Sequence, residues 1–140
     1  MAQRLLISGA VLFIGLASTG TSLAGQTAAS DHPEVTCTKD IAPMLQRSCQ
    51  TCHRPDSVAP MSLLTYQQAR PWARAMKMRT SLGPRAGVMP PWYVEKNIGI
   101  QRYKNDPSLS EDDIAKIAAW ADSGAPEGNP ADMPAPLDWN

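Results

Sequence analysis

The stretch RSCQTCHRP, residues 47–55, decides how the rest of this chain is read. Cys49 and Cys52 stand three positions apart, and His53 follows the second directly. Cys-x-x-Cys-His is the spacing at which a haem is attached covalently. One turn of chain presents both thiols to one edge of a porphyrin, where they add across its two vinyl groups. An imidazole on the next residue then falls beneath the iron as proximal ligand.

Other uses of the motif fit less well. A thioredoxin-like dithiol belongs beside a βαβ pattern, and none is visible. A structural zinc ion wants a second ligand pair, yet the only other histidine is His32, in a polar N-terminal segment. The tight spacing disfavours a plain structural disulfide.

The N-terminus supplies the context. Arg4 precedes an apolar run from Leu5 to Ala17, and Ser22-Leu23-Ala24 places small residues where a signal peptidase reads them. The run is shorter than the ~20 residues a spanning helix needs. Residues 1–24 are therefore expected to be a secretory signal peptide, cleaved near Ala24 and delivering the chain to the periplasm. Residues 25–34 read as a flexible arm, 35–125 as one domain and 126–140 as a tail. The tail holds Pro126, Pro130, Pro134 and Pro136, which leaves little room for regular structure. The chain has 140 residues and a single Phe, Phe13, which belongs to the signal segment. So small a core would be completed by a buried cofactor.

Three helices are expected. The first spans about Lys39 to Arg47, with Thr38 as N-cap and Ile41, Met44 and Leu45 on one face. The second spans Tyr66 to about Leu82, with Thr65 as N-cap, a break near Arg70 caused by Pro71, and Trp72, Ala75, Met76 and Arg79 at helical spacing. The third opens at Ser110-Glu111-Asp112-Asp113, a variant capping box. It carries an apolar stripe through Ile114, Ile117, Ala118 and Ala121, together with Trp120, and stops at Gly124. The long connection from Gly83 to Leu109 needs a reason, and a ligand wrapped by it would supply one.

From His53 onward the chain resembles a known family. The segments APMSLLTYQQARPWARAMK (59–77), MPPW (89–92), DPSLSEDDIAKIAAWADSGAPEGNP (106–130) and DMPAPLDWN (132–140) are similar to the monohaem cytochrome c domain of bacterial secreted proteins. In larger relatives this domain precedes copper type II monooxygenase-like domains. The resemblance implies an all-α, class I-like cytochrome c fold: about three helices, the first and last packed together, with long loops wrapped around one covalent haem c. No other metal is expected.

The sixth iron ligand is expected to be Met89, on a loop before the last helix and stiffened by Pro90 and Pro91. Met61 is the alternative; Met44, Met76, Met78, Met133 and His32 are weaker candidates. Trp72 and Trp92 are candidate haem-pocket walls, or ordinary core. Arg70 and Arg74 are candidate donors to the haem propionates, or a solvated helix face. The Pro60 carbonyl is a candidate partner for Nδ1 of His53. Cys37 reads as a small buried residue, with an intermolecular disulfide as the minority reading.

The expected function is one-electron transport rather than enzymatic catalysis. Two alternatives remain: a peroxidase- or oxygenase-like haem enzyme with a labile sixth ligand, favoured by the loose segment 83–87, and an electron-supplying module cut from a larger copper monooxygenase-like protein. Charge is segregated. From Gln46 to Lys104 ten basic residues face only Asp56 and Glu95, while from Asn105 onward eight acids face Lys116 alone. That pattern predicts a redox partner with an acidic docking surface. It does not predict a nucleic-acid partner, because the basic residues form no run. No stable membrane insertion is expected after signal cleavage.

Overall fold

Pro43 decides how the first helix begins. It has no N–H to give the Lys39 carbonyl, and its ring crowds that oxygen. In the computed structural model, which describes residues 34–139 apart from 85, 93, 95–97 and 101, the turn ahead of Pro43 is widened. Helix α1 opens as a π-helical turn, Cys37–Ile41, and continues as an ordinary helix, Ala42–Ser48. The amides of Ile41 and Ala42 reach back five residues, to the carbonyls of Thr36 and Cys37. The helix thus starts earlier than expected. Thr36 holds the N-cap position instead of Thr38, and its amide donates to the Asp40 carboxylate at 2.9 Å. Thr38 is fully buried inside the turn, with no partner for its hydroxyl among the described residues.

Helix α2 combines Tyr66–Ala69, a 3-10 turn at Arg70–Trp72, and Ala73–Thr80. The break falls at Pro71, as expected. Thr65 caps the helix: its hydroxyl accepts from the Gln68 amide at 3.3 Å, and the Gln68 side chain accepts from the Thr65 amide at 3.2 Å. The 3-10 turn rotates the residues that follow. The buried face is Ala69, Ala73, Met76 and Thr80, one step from the stripe the spacing predicted, so Trp72 and Arg79 face solvent.

Helix α3 is Glu111–Asp122. The Ser110 hydroxyl accepts from the Asp113 amide at 3.1 Å, and the Asp113 carboxylate accepts from the Ser110 amide at 2.9 Å, which closes the expected capping box. Gly124 ends the helix in the left-handed region, at φ +90°. Helix α3 lies against the 73–80 part of α2 and the opening turn of α1. Ile41, Met44, Leu45, Leu63, Ala73, Met76, Ile117 and the fully buried Trp120 make the core. Among the described residues there is no strand, so the class is all-α. None of the described helices is long and apolar enough to cross a membrane.

The segment after Ala125 holds one 3-10 turn, Pro130–Asp132. It is tied to α1, because Cys37 and Thr38 donate their amides to the carbonyls of Pro126 and Glu127 at 3.0 and 2.9 Å. The Trp120 indole also donates to Pro126, at 2.9 Å, and the Gln46 amide reaches Ala135 at 2.8 Å. The expected signal peptide and nearly all of the arm lie outside the described residues.

Two predictions follow from this packing. Gly124 and Gly128 both have φ +90°, but an alanine Cβ at 124 would meet nothing within 4 Å, while at 128 it would stand 2.6 Å from Thr36 and Thr38. Gly124→Ala should cost only the left-handed strain, about 1–2 kcal/mol. Gly128→Ala should cost about 1–3 kcal/mol more by overpacking. Urea unfolding measures both, and equal losses would show that the tail does not seat on α1.

The second concerns acid. Asp113 accepts from Arg47 at 2.7 Å. Burial raises the Asp113 carboxyl, but the Ser110 amide and hydroxyl and the Arg47 guanidinium outweigh it and hold the group below the usual range. A depressed carboxylate adds stability that is complete above its unfolded pKa of about 4 and is lost as pH falls through the folded value. The thermal midpoint should therefore drop on acidification below about pH 5. Asp113→Asn should lower the midpoint at pH 7 and flatten part of that slope; an unchanged slope would remove Asp113 from the acid response.

Candidate functional site

The Cys-x-x-Cys-His motif continues α1 by one turn. The amides of Cys49 and Gln50 donate to the Leu45 carbonyl at 2.9 and 2.8 Å, and the Cys49 carbonyl accepts from Cys52 and His53 at 3.1 and 2.9 Å. Residues at i, i+3 and i+4 on a helical turn share a side, so Cys49, Cys52 and His53 are presented together. Cys49 is half-buried, Cys52 exposed and His53 buried. All three cysteines of the chain are free thiols. Among the described residues no three His, Cys, Asp or Glu side chains converge to hold a bare metal ion, so the motif is not a compact chelate.

Residues 54–63 fold back over this turn. The amides of Ala59 and Leu63 donate to the carbonyls of Cys52 and His53 at 3.2 and 2.9 Å. The buried Gln50 side chain donates to the Leu63 carbonyl at 3.0 Å, and the Ser57 hydroxyl to Thr51 at 3.0 Å. The return path sets the His53 ring, whose Nδ1 lies 3.2 Å from the Met61 carbonyl. A carbonyl only accepts, so Nδ1 carries the proton and the Nε2 lone pair is left for a metal. The sequence pointed to Pro60 for this contact. The Leu63–His53 bond sets the register one residue further on, and Met61 takes it. Met61 therefore has its backbone at the Nδ1 edge, opposite the nitrogen that would coordinate.

Met89 is anchored at the end of α2, where its amide donates to the Arg79 carbonyl at 3.2 Å. It is 40 % exposed. With Thr80, Val88, Trp92, Leu109 and Ile114 it lines a cavity of about 530 Å³. Met44 and Met76 are core residues and Met78 is exposed, while Met133 lines a second cavity of about 240 Å³ with Gln46, Gln50, Tyr66 and Trp139.

The larger cavity gathers Met89 and Trp92. Its lining does not include Cys49, Cys52 or His53, nor Trp72, Arg70 or Arg74. Trp72 is 41 % exposed on the 3-10 turn. Arg70 and Arg74 are exposed beside it, and among the described residues neither side chain has a hydrogen-bond or ion-pair partner.

Sequence reasoning missed Arg54. Its guanidinium stacks on Trp139, 5.0 Å from the ring centroid, and its buried Nε has no partner among the described residues. The two residues are far apart in the sequence, Trp139 in the tail, and no local pattern connects them.

Neither Cys49 nor Cys37 is activated. Burial pushes Cys49 up to about 12, against the opposing pull of Arg47. Burial, then Glu127, pushes Cys37 up to about 11. A redox dithiol depends on a lowered thiol pKa, which is the opposite of what surrounds Cys49. Cys37 is 1 % exposed, in line with a small buried residue.

Comparison with family models, with curated proteins and with solved structures finds no match to this chain.

Proposed function

We propose that the protein is a periplasmic monohaem c-type cytochrome that carries one electron at a time, in the class I-like fold and the bacterial secreted family that its sequence resembles. The observation that carries this reading is the His53–Met61 hydrogen bond. It leaves Nε2 available, as outer partners of metal-binding histidines do. Two free thiols on the same turn would supply the tether, and Met89 is the thioether proposed for the iron, although the cavity of about 530 Å³ that it lines does not include the motif.

Bound haem would supply a one-electron iron couple, with imidazole and thioether ligation favouring a raised potential. The chain's own residues do the rest. Cys49 and Cys52 would tether the group, and His53 and Met89 would hold its iron. The Met61 carbonyl keeps the imidazole in one tautomer, and Trp92 forms part of the cavity wall. Arg70, Trp72 and Arg74 form an exposed basic and aromatic face suited to an acidic redox protein. A second reading, a haem enzyme with a labile sixth ligand, draws on the 40 % exposure of Met89.

Mass spectrometry of protein from a host competent in cytochrome maturation should show one haem retained after denaturation; the mass of the bare polypeptide would end the haem reading. Met89→Ala should abolish the far-red thioether-to-iron charge-transfer band and lower the potential, while Met61→Ala keeps the band. The reverse pattern moves the ligand role to Met61, and a wild-type protein lacking the band while turning over peroxide favours the enzyme.

Electron-transfer rates with an acidic redox protein should fall as salt rises past roughly 0.1 M, where the screening length shrinks to ~10 Å. Arg70→Gln/Arg74→Gln should flatten that dependence. A flat profile in the unaltered protein would sink the docking assignment and leave electron transport standing.

A further inference from the structure

We infer that the loop tip Ile98-Gly99-Ile100, with Arg102 and Lys104 beside it, is a peripheral docking point for an anionic lipid surface. Ile98 and Ile100 are 68 % and 86 % exposed, more than any other large apolar residue described except Val58. Gly99 between them has φ +70°, and a Cβ there would meet nothing within 4 Å among the described residues. Arg102 and Lys104 are both exposed. The nearby Asp106 carboxylate is engaged by the amide and hydroxyl of Ser108. Trp92 and Tyr103 meet edge to face with ring centroids 6.3 Å apart, and each is 39 % exposed. Such half-exposed amphipathic rings suit the headgroup layer.

The shape argues for lipid over protein. A stable protein interface covers about 800 Å² on each partner with matched surfaces, and a two-residue point cannot supply that. A bilayer needs no matching shape. It takes aliphatic side chains one at a time, while lysine and arginine keep their charges among the phosphates. The attachment would be peripheral, since none of the described helices can span. Trp92 lines the large cavity and also pairs with Tyr103, so docking would bring the cavity rim to the membrane. The inference goes beyond electron transport and does not depend on haem.

The test is co-sedimentation of the full chain, as its host produces it, with vesicles of phosphatidylglycerol and phosphatidylcholine or of phosphatidylcholine alone. The unaltered protein should bind the anionic vesicles more strongly and lose that preference above roughly 0.1 M salt. Ile98→Ser/Ile100→Ser should weaken binding by roughly tenfold or more, because the apolar area given to the lipid is lost. The thermal midpoint should hold, because both side chains are exposed. Arg102→Gln/Lys104→Gln should erase the preference for anionic lipid. The inference is overturned if the unaltered protein ignores anionic vesicles or if the tip variant binds them equally well. It also falls if the tip variant instead loses only its electron transfer to an acidic protein, which would make the tip a protein contact.

Discussion

An imidazole offers a metal one defined nitrogen only when the other is engaged, and here the Met61 carbonyl engages Nδ1 of His53. That contact depends on the path of residues 54–63. The path in turn depends on the Leu63 amide reaching the His53 carbonyl, and on Gln50, buried within the motif, holding the Leu63 carbonyl from the other side. Leu63 is itself a core residue, 2 % exposed. The motif turn is therefore clamped between α1, which it extends, and a return loop whose far end is buried with the core. A thiol pair without that clamp would leave the histidine free to rotate and to exchange tautomers.

The same economy shapes the electrostatics. The basic middle of the chain and its acidic end are not left to repel their own kind. Arg47 pairs with Asp113 at the start of α3, and Lys77 with Asp122 at its end, at 2.7 and 2.6 Å. The acids of the first turn also suit the helix dipole. Exposed pairs of this sort each contribute little, about 0–1 kcal/mol, but they join α3 to α1 and α2 at opposite ends. Among the described residues the exposed side chains of Arg70 and Arg74 stay unpaired. Under the proposed function this is the face that would steer an acidic protein. The proposed lipid contact at Ile98 and Ile100 draws on the same excess at a separate loop.

Much of this was legible in residues 47–55 and in short-range chemistry. The Cys49, Cys52 and His53 spacing, the caps at Thr65 and Ser110, the break at Pro71 and the stop at Gly124 all rest on contacts within about four residues, where backbone geometry leaves few choices. The tertiary structure alone decided the rest. It chose Met61 over Pro60 at His53, turned Trp72 outward while Trp92 joined the cavity wall, and brought Trp139 onto Arg54. Each of those outcomes depends on how distant segments share a small core. A shift of one residue along a loop, or of one step around a helix, changes which group faces inward without altering any local preference.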